Sequence, residues 1–120
     1  MLPNHRILVA EDETFVALDI AYSIEEAGGT VIGPAARVSE ALDLLEKHEV
    51  TGAILDLNLA DRDVLPVALL LLKRLVPLIF HTGVTLPAQF LADFPNLKVY
   101  AKPTAADHLV RHLHLEVDPT

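Results

Sequence analysis

The chain has 120 residues, enough for one domain, and 52% of them are apolar against only 5% aromatic, so one core built of aliphatic side chains is expected. A formal charge of -8 argues against nucleic acid, whose phosphates need clustered Lys and Arg, and suits a protein that carries a cation or meets a basic partner. With no cysteine there are no disulfides, thiolate metal sites or thiol nucleophiles; no apolar run nears the roughly 20 residues of a bilayer span, and no signal peptide opens the chain, so the expected address is the cytoplasm, away from any membrane.

In chain order, Arg6 to Ala10 is a short apolar run and reads as a strand buried on both faces. Thr14 to Ala27 carries Ala17, Ile20, Ala21, Ile24 and Ala27 at helical spacing, and Gly28-Gly29 stops it. Thr30 to Pro34 reads as a second strand. Ser39 is a candidate N-cap for a helix to about His48, with Ala41, Leu42, Leu44 and Leu45 apolar. Gly52 to Leu57 is a third strand, followed by a polar loop holding Asn58, Asp61, Arg62 and Asp63. Pro66 suits the first turn of a helix to about Leu75, with Lys73 and Arg74 at its dipole-favoured end. Val76 to Thr82 is a fourth strand. Pro87 and Pro95 leave room only for a short helix between Gly83 and Asn96. Leu97 to Ala101 is a fifth strand, and Thr104 to Asp107 looks like a capping box opening a last helix to about His114.

Strands alternating with helices through short loops imply a parallel sheet covered on both faces, as one domain over residues 1–120. In such a sheet ligands gather at the carboxyl ends of the strands. The first strand ends in Glu11-Asp12-Glu13, the third at Asp56, the fourth at Thr82 and the fifth at Lys102. Asp12 and Asp56 are 44 residues apart, Asp56 and Thr82 26, and Thr82 and Lys102 20, so each interval returns the chain to the same sheet edge. Crowded carboxylates repel one another, and a hard dication such as Mg²⁺ relieves that penalty while leaving positions for phosphate oxygens. A lysine can clamp a phosphoryl oxygen, a hydroxyl can bond another, and a carboxylate can be the nucleophile that forms an acyl phosphate.

The pieces ILVAEDE, AILDLNL, FHTG and AKP, in that order over nearly the whole chain, resemble the response-regulator receiver domain of two-component systems, in its stand-alone form. The resemblance implies a flavodoxin-like (βα)5 three-layer sandwich with a five-stranded parallel sheet in the order 2-1-3-4-5. It implies Asp56 as phosphoacceptor. Glu11 and Asp12 would be the acidic pair, with Asp12 favoured as a direct ligand of Mg²⁺, and Asp56 and the backbone carbonyl of Asn58 would complete the metal set. Thr82 would be the switch hydroxyl and Lys102 the phosphate-contacting lysine, with the Lys102–Pro103 bond cis. The partners implied are a sensor histidine kinase or a histidine phosphotransfer protein as donor. Output would pass through protein contact, a second copy of the chain being one candidate, and the chain would be a phosphoacceptor rather than an enzyme with turnover of its own.

Three positions depart from the family pattern. Val99 stands where many receivers carry an aromatic switch residue, and Tyr100 is one place later, which reverses its face. Thr104 follows Pro103 where Phe is common. The fourth helix is short. Two other readings stay open: a receiver fold that no longer phosphorylates and serves as a scaffold, and a small Mg²⁺ phosphatase of the haloacid dehalogenase type. The latter puts its nucleophile after the first strand, where this chain has Glu11-Asp12.

Several residues read more plainly. Glu13 is expected to be solvated or a helix first-turn acid rather than a ligand, and Asp61 and Asp63 to be solvated loop residues, with tuning of access to the site a second reading for Asp61. His108 and His112 lie one turn apart as zinc ligands can, but without a visible third ligand they read as a solvated face. His81, next to Thr82, should point away from the pocket. Val67 to Leu72 is either a helix buried on one side with incidental surface leucines or an apolar patch for a partner.

Overall fold

Short apolar runs become strands here, and segments of 3.6-residue period become helices. The structure, a computed structural model, describes residues 1–119. Its elements are β1 (Arg6–Ala10), α1 (Thr14–Glu26), β2 (Thr30–Ala35), α2 (Val38–Lys47), β3 (Gly52–Leu55), α3 (Leu65–Lys73), β4 (Leu78–Thr82), α4 (Ala88–Asp93), β5 (Lys98–Ala101) and α5 (Ala106–Val117). All strand pairs are parallel, in the order β2-β1-β3-β4-β5, which is the flavodoxin-like (βα)5 arrangement. Among the described residues no helix is long and apolar enough to cross a membrane.

Because strand side chains alternate, each central strand feeds two cores. Leu8, Ala10, Ala53, Leu55, Leu78 and Phe80 pack on one face with α2, α3 and Phe90 of α4. Ile7, Val9, Ile54 and Ile79 pack on the other with α1 and α5. The same alternation continues to the strand ends. Thr82 shares the face of Phe80, and His81 shares that of Ile79.

Helix α1 stops as its sequence requires. Gly28 takes φ 88°, its N–H reaching Glu25 O, and the Gly29 N–H reaches Ile24 O. Helix α3 stops by the same device without a glycine. Leu75 holds φ 58° and the Val76 N–H bonds Leu71 O, so the helix ends at Lys73, short of the expected Leu75.

Two expected caps do not form. Ser39 lies inside α2, and its N–H and that of Val38 are bonded by the Asp61 carboxylate at 3.1 and 2.7 Å. Thr104 caps nothing: α5 begins at Ala106, and the Thr104 hydroxyl donates back to Ala101 O at 2.6 Å. The α3 apolar run is largely core, since Val67, Ala68 and Leu71 are buried and Leu69 is the exposed member.

Candidate functional site

Backbone bonds that extend the sheet beyond its strands set the site. The Glu11 N–H bonds Ala35 O, the Asp56 N–H bonds Ala10 O, and the Lys102 N–H bonds Thr82 O. The residues just past β1, β3 and β5 are thereby held in sheet register at one edge. The Lys102–Pro103 peptide is cis, as is Gly33–Pro34.

At that edge Glu11, Asp12 and Asp56 each offer a carboxylate oxygen, all within 4.8 Å of one another. Glu11 and Asp56 are buried while Asp12 is exposed, so the cluster opens to solvent on the Asp12 side. The Lys102 ammonium sits among them. It donates to Asp56 Oδ2 at 2.9 Å and to Glu13 Oε1 at 2.8 Å, and it lies 2.9 Å from Glu11 Oε1. The Glu11 contact is a charge pair without hydrogen-bond alignment: Oε1 is buried and receives no hydrogen bond. The other Glu11 oxygen accepts the Glu13 N–H at 3.1 Å.

Burial raises the Glu11 carboxyl to about 7, against the opposing pull of Lys102 and the Glu13 N–H; the charge on Asp56 raises it further. Lys102 is held above the ordinary lysine range by Glu13, Glu11 and Asp56, which outweigh the cost of its burial. One ammonium thus faces three acids. An all-oxygen donor set with an unsatisfied buried oxygen and a solvent-facing side fits a hard divalent cation.

The structure brings Glu11, Asp12, Asp56 and Lys102 together. Thr82 is buried at the end of β4, and its Oγ1 accepts the Val84 N–H at 3.3 Å; among the described residues it makes no hydrogen bond to Asp56 or Lys102. Thr82 instead lines a cavity of about 370 Å³ with Val99 and Ala101. Tyr100 is on the opposite face of β5, its ring 4.9 Å from that of His112. Val99 therefore occupies the side of the sheet where an aromatic would face Thr82. Asn58, exposed two residues past Asp56, bridges to Asp63.

Two residues do more than the sequence reading gave them. Glu13 is exposed, as expected, and its carboxylate also holds Lys102. Its place at the turn into α1, next to the Glu11-Asp12 pair, was the available signal. His81, expected to point away from the pocket, is on the sheet face opposite Thr82 but lines a cavity with Glu13 and Lys102. Its Nε2 accepts the Thr104 N–H at 3.2 Å, tying β4 to the loop that carries Lys102. The ring is buried and its Nδ1 has no partner. Burial, and then the Lys102 charge, hold this imidazole below its ordinary pKa.

Comparison with known proteins agrees with the fold. No family model matches the sequence. The transcriptional regulatory protein PdtaR of Mycobacterium tuberculosis is 33% identical over 79 residues, covering 65% of this chain and 38% of its own length. The response regulator PhyR of Brucella abortus superposes with a TM-score of 0.75 at 30% identity, over 94% of this chain and 47% of that one. The chain thus spans less than half of either relative. The non-phosphorylated receiver domain of HemR from Leptospira biflexa shares the fold, with a TM-score of 0.83 at 23% identity over 98% of this chain and 97% of that one.

Proposed function

The chain is a response-regulator receiver domain, and from that premise we propose that it is a phosphoacceptor in two-component signalling, phosphorylated on Asp56 with Mg²⁺ bound. The observation that carries this reading is the Lys102 ammonium lodged between Asp56 and the Glu11–Glu13 acids at contact distance.

Asp12, Asp56 and the Asn58 carbonyl would hold the ion, with Glu11 behind them. When bound, Mg²⁺ supplies neutralising charge for crowded carboxylates and for phosphoryl oxygens. The rest is the work of this chain's own residues. Lys102 holds Asp56 Oδ2, which supports Oδ1 as the attacking oxygen. The bond from Oδ1 to phosphorus forms as the phosphorus–nitrogen bond of a donor phosphohistidine breaks, and the donor imidazole retakes a proton. Lys102 turns from Glu13 toward a phosphoryl oxygen. The Thr82 hydroxyl leaves the Val84 N–H to donate to another. Hydrolysis restores the carboxylate and releases inorganic phosphate.

The donor is a sensor histidine kinase or a histidine phosphotransfer protein in the cytoplasm, and output passes through protein contact. An exposed apolar stripe on α1, formed by Phe15, Leu18 and Tyr22, begins beside Glu13 at the mouth of the site and supports docking of such a partner there. The phosphatase reading is disfavoured because the buried acceptor carboxylate follows β3 rather than β1.

Incubating the chain with a small acyl-phosphate donor, with and without Mg²⁺, tests the proposal. Incorporation of one phosphoryl group per chain that requires Mg²⁺, with no sustained turnover of phosphate monoesters, is expected. Absence of incorporation at saturating donor and Mg²⁺ leaves the scaffold reading, and steady monoester hydrolysis the phosphatase one.

A further inference from the structure

His108 and His112 on α5, expected as part of a solvated face, are exposed and half-buried respectively. Their Nε2 atoms meet at 2.8 Å. The Tyr100 ring packs against both, 4.9 Å from the His112 ring and 6.5 Å from the His108 ring, which restrains the pair to this arrangement. We propose that His108 and His112 form a chelating site for a borderline divalent transition ion of the Zn²⁺ or Cu²⁺ class. The site is separate from the carboxylate cluster and does not rest on the phosphoryl-transfer reading.

The proton inventory supports it. Arg111 Nη2 lies 3.3 Å from His108 Nδ1, and a guanidinium only donates, so that nitrogen accepts. In the neutral ring the His108 proton is then on Nε2, and His112 Nε2 accepts it. The two nitrogens share one proton at one point in space, where one ion can replace it. On binding, the His108 proton moves to Nδ1, both Nε2 lone pairs turn to the metal, and Arg111 is released toward Asp107, 4.0 Å away. No net proton is lost.

The bite is close to what is needed. Two imidazoles bound at about 2.0–2.1 Å to one ion stand roughly 3 Å apart, so the pair opens by only a few tenths of an ångström. Neutral imidazole selects Cu²⁺, Ni²⁺ and Zn²⁺ over Mg²⁺, whereas the carboxylate cluster favours the hard ion. Among the described residues no third histidine or acid joins the pair, so water fills the other positions.

The chain has two tyrosines and no tryptophan, so Tyr100 reports on the site directly. Untagged protein in saturating Mg²⁺, with Tyr22→Phe to silence the other tyrosine, is titrated with Cu²⁺ while tyrosine emission is followed. Saturable quenching at one equivalent is expected, together with a Zn²⁺-dependent rise in Tm. His108→Ala and His112→Ala, whose folding is checked by circular dichroism, should each lose both effects, while His48→Ala keeps them. Quenching and Tm shifts that survive in folded His108→Ala and His112→Ala, or that are absent from the parent protein, would overturn the proposal.

Discussion

Lys102 answers three carboxylates with one charge, and the side chains that hold it decide how the pocket responds to pH. His81 serves that purpose only while neutral, because its Nε2 must accept the Thr104 N–H. Its pKa is lowered in the fold by burial and then by Lys102. A folded chain therefore takes up this proton less readily than an unfolded one. The stability that follows is complete above the ordinary imidazole value of 6.5 and is lost as the pH falls from there through the folded value. Glu11, raised to about 7, works in the opposite sense, so a comparison of variants isolates the histidine. His81→Gln keeps an acceptor but does not titrate. Between about pH 7.5 and about pH 5.5 the urea midpoint of the parent should fall relative to that of His81→Gln. Parallel midpoints would show that His81 does not link protonation to folding.

At the scale of elements, helix ends supply the sharpest tests. Asp61 caps α2 from a distant loop, its two oxygens bonded to the Val38 and Ser39 N–H groups. Those backbone bonds lower its pKa. The contribution is present above the ordinary carboxyl value of 3.8 and is lost as the pH falls through the lower, folded value. Asp61→Ala should lower Tm at neutral pH, with the deficit narrowing in strong acid; an unchanged Tm at neutral pH would show the cap to be idle. Leu75 sits at φ 58° and is exposed, so its side chain gains little and its backbone is disfavoured. Leu75→Gly should raise stability by up to about 1 kcal/mol after allowing for the freer unfolded chain. A loss of stability in urea unfolding would contradict that account of the α3 terminus.

Taken whole, the molecule concentrates acid at one sheet edge, and a bound ion should stabilise the folded chain by mass action. Mg²⁺ should raise Tm in the parent, and Asp12→Asn should remove most of the rise without lowering the metal-free Tm. A rise of equal size in that variant would place the ion elsewhere. Much of this arrangement is legible before folding. Uninterrupted apolar runs mark β1, β3 and β4, the spacing of Ala17, Ile20 and Ile24 marks the buried face of α1, and the intervals among Asp12, Asp56, Thr82 and Lys102 return them to one edge. The face of Tyr100 follows from alternation alone. What is not legible depends on contacts between distant segments. Ser39 and Thr104 have the chemistry of caps, yet the chain supplies α2 with Asp61 and leaves α5 uncapped by a side chain. Glu13 reads as solvated and is exposed, but its bond to Lys102 shows only once β5 delivers the lysine beside it. Of the two readings left open for α3, burial on one side holds, with Val67, Ala68 and Leu71 in the core and Leu69 a surface leucine, and the exposed apolar stripe is on α1.

The central claim is that Asp56 is the residue phosphorylated within this cluster. Acyl-phosphate labelling in Mg²⁺, reductive trapping of the acyl phosphate and peptide mass analysis test it directly. The account predicts that all trapped label maps to Asp56 and that Asp56→Asn takes up none; label on another carboxylate in the parent, or undiminished labelling of the variant, would contradict it.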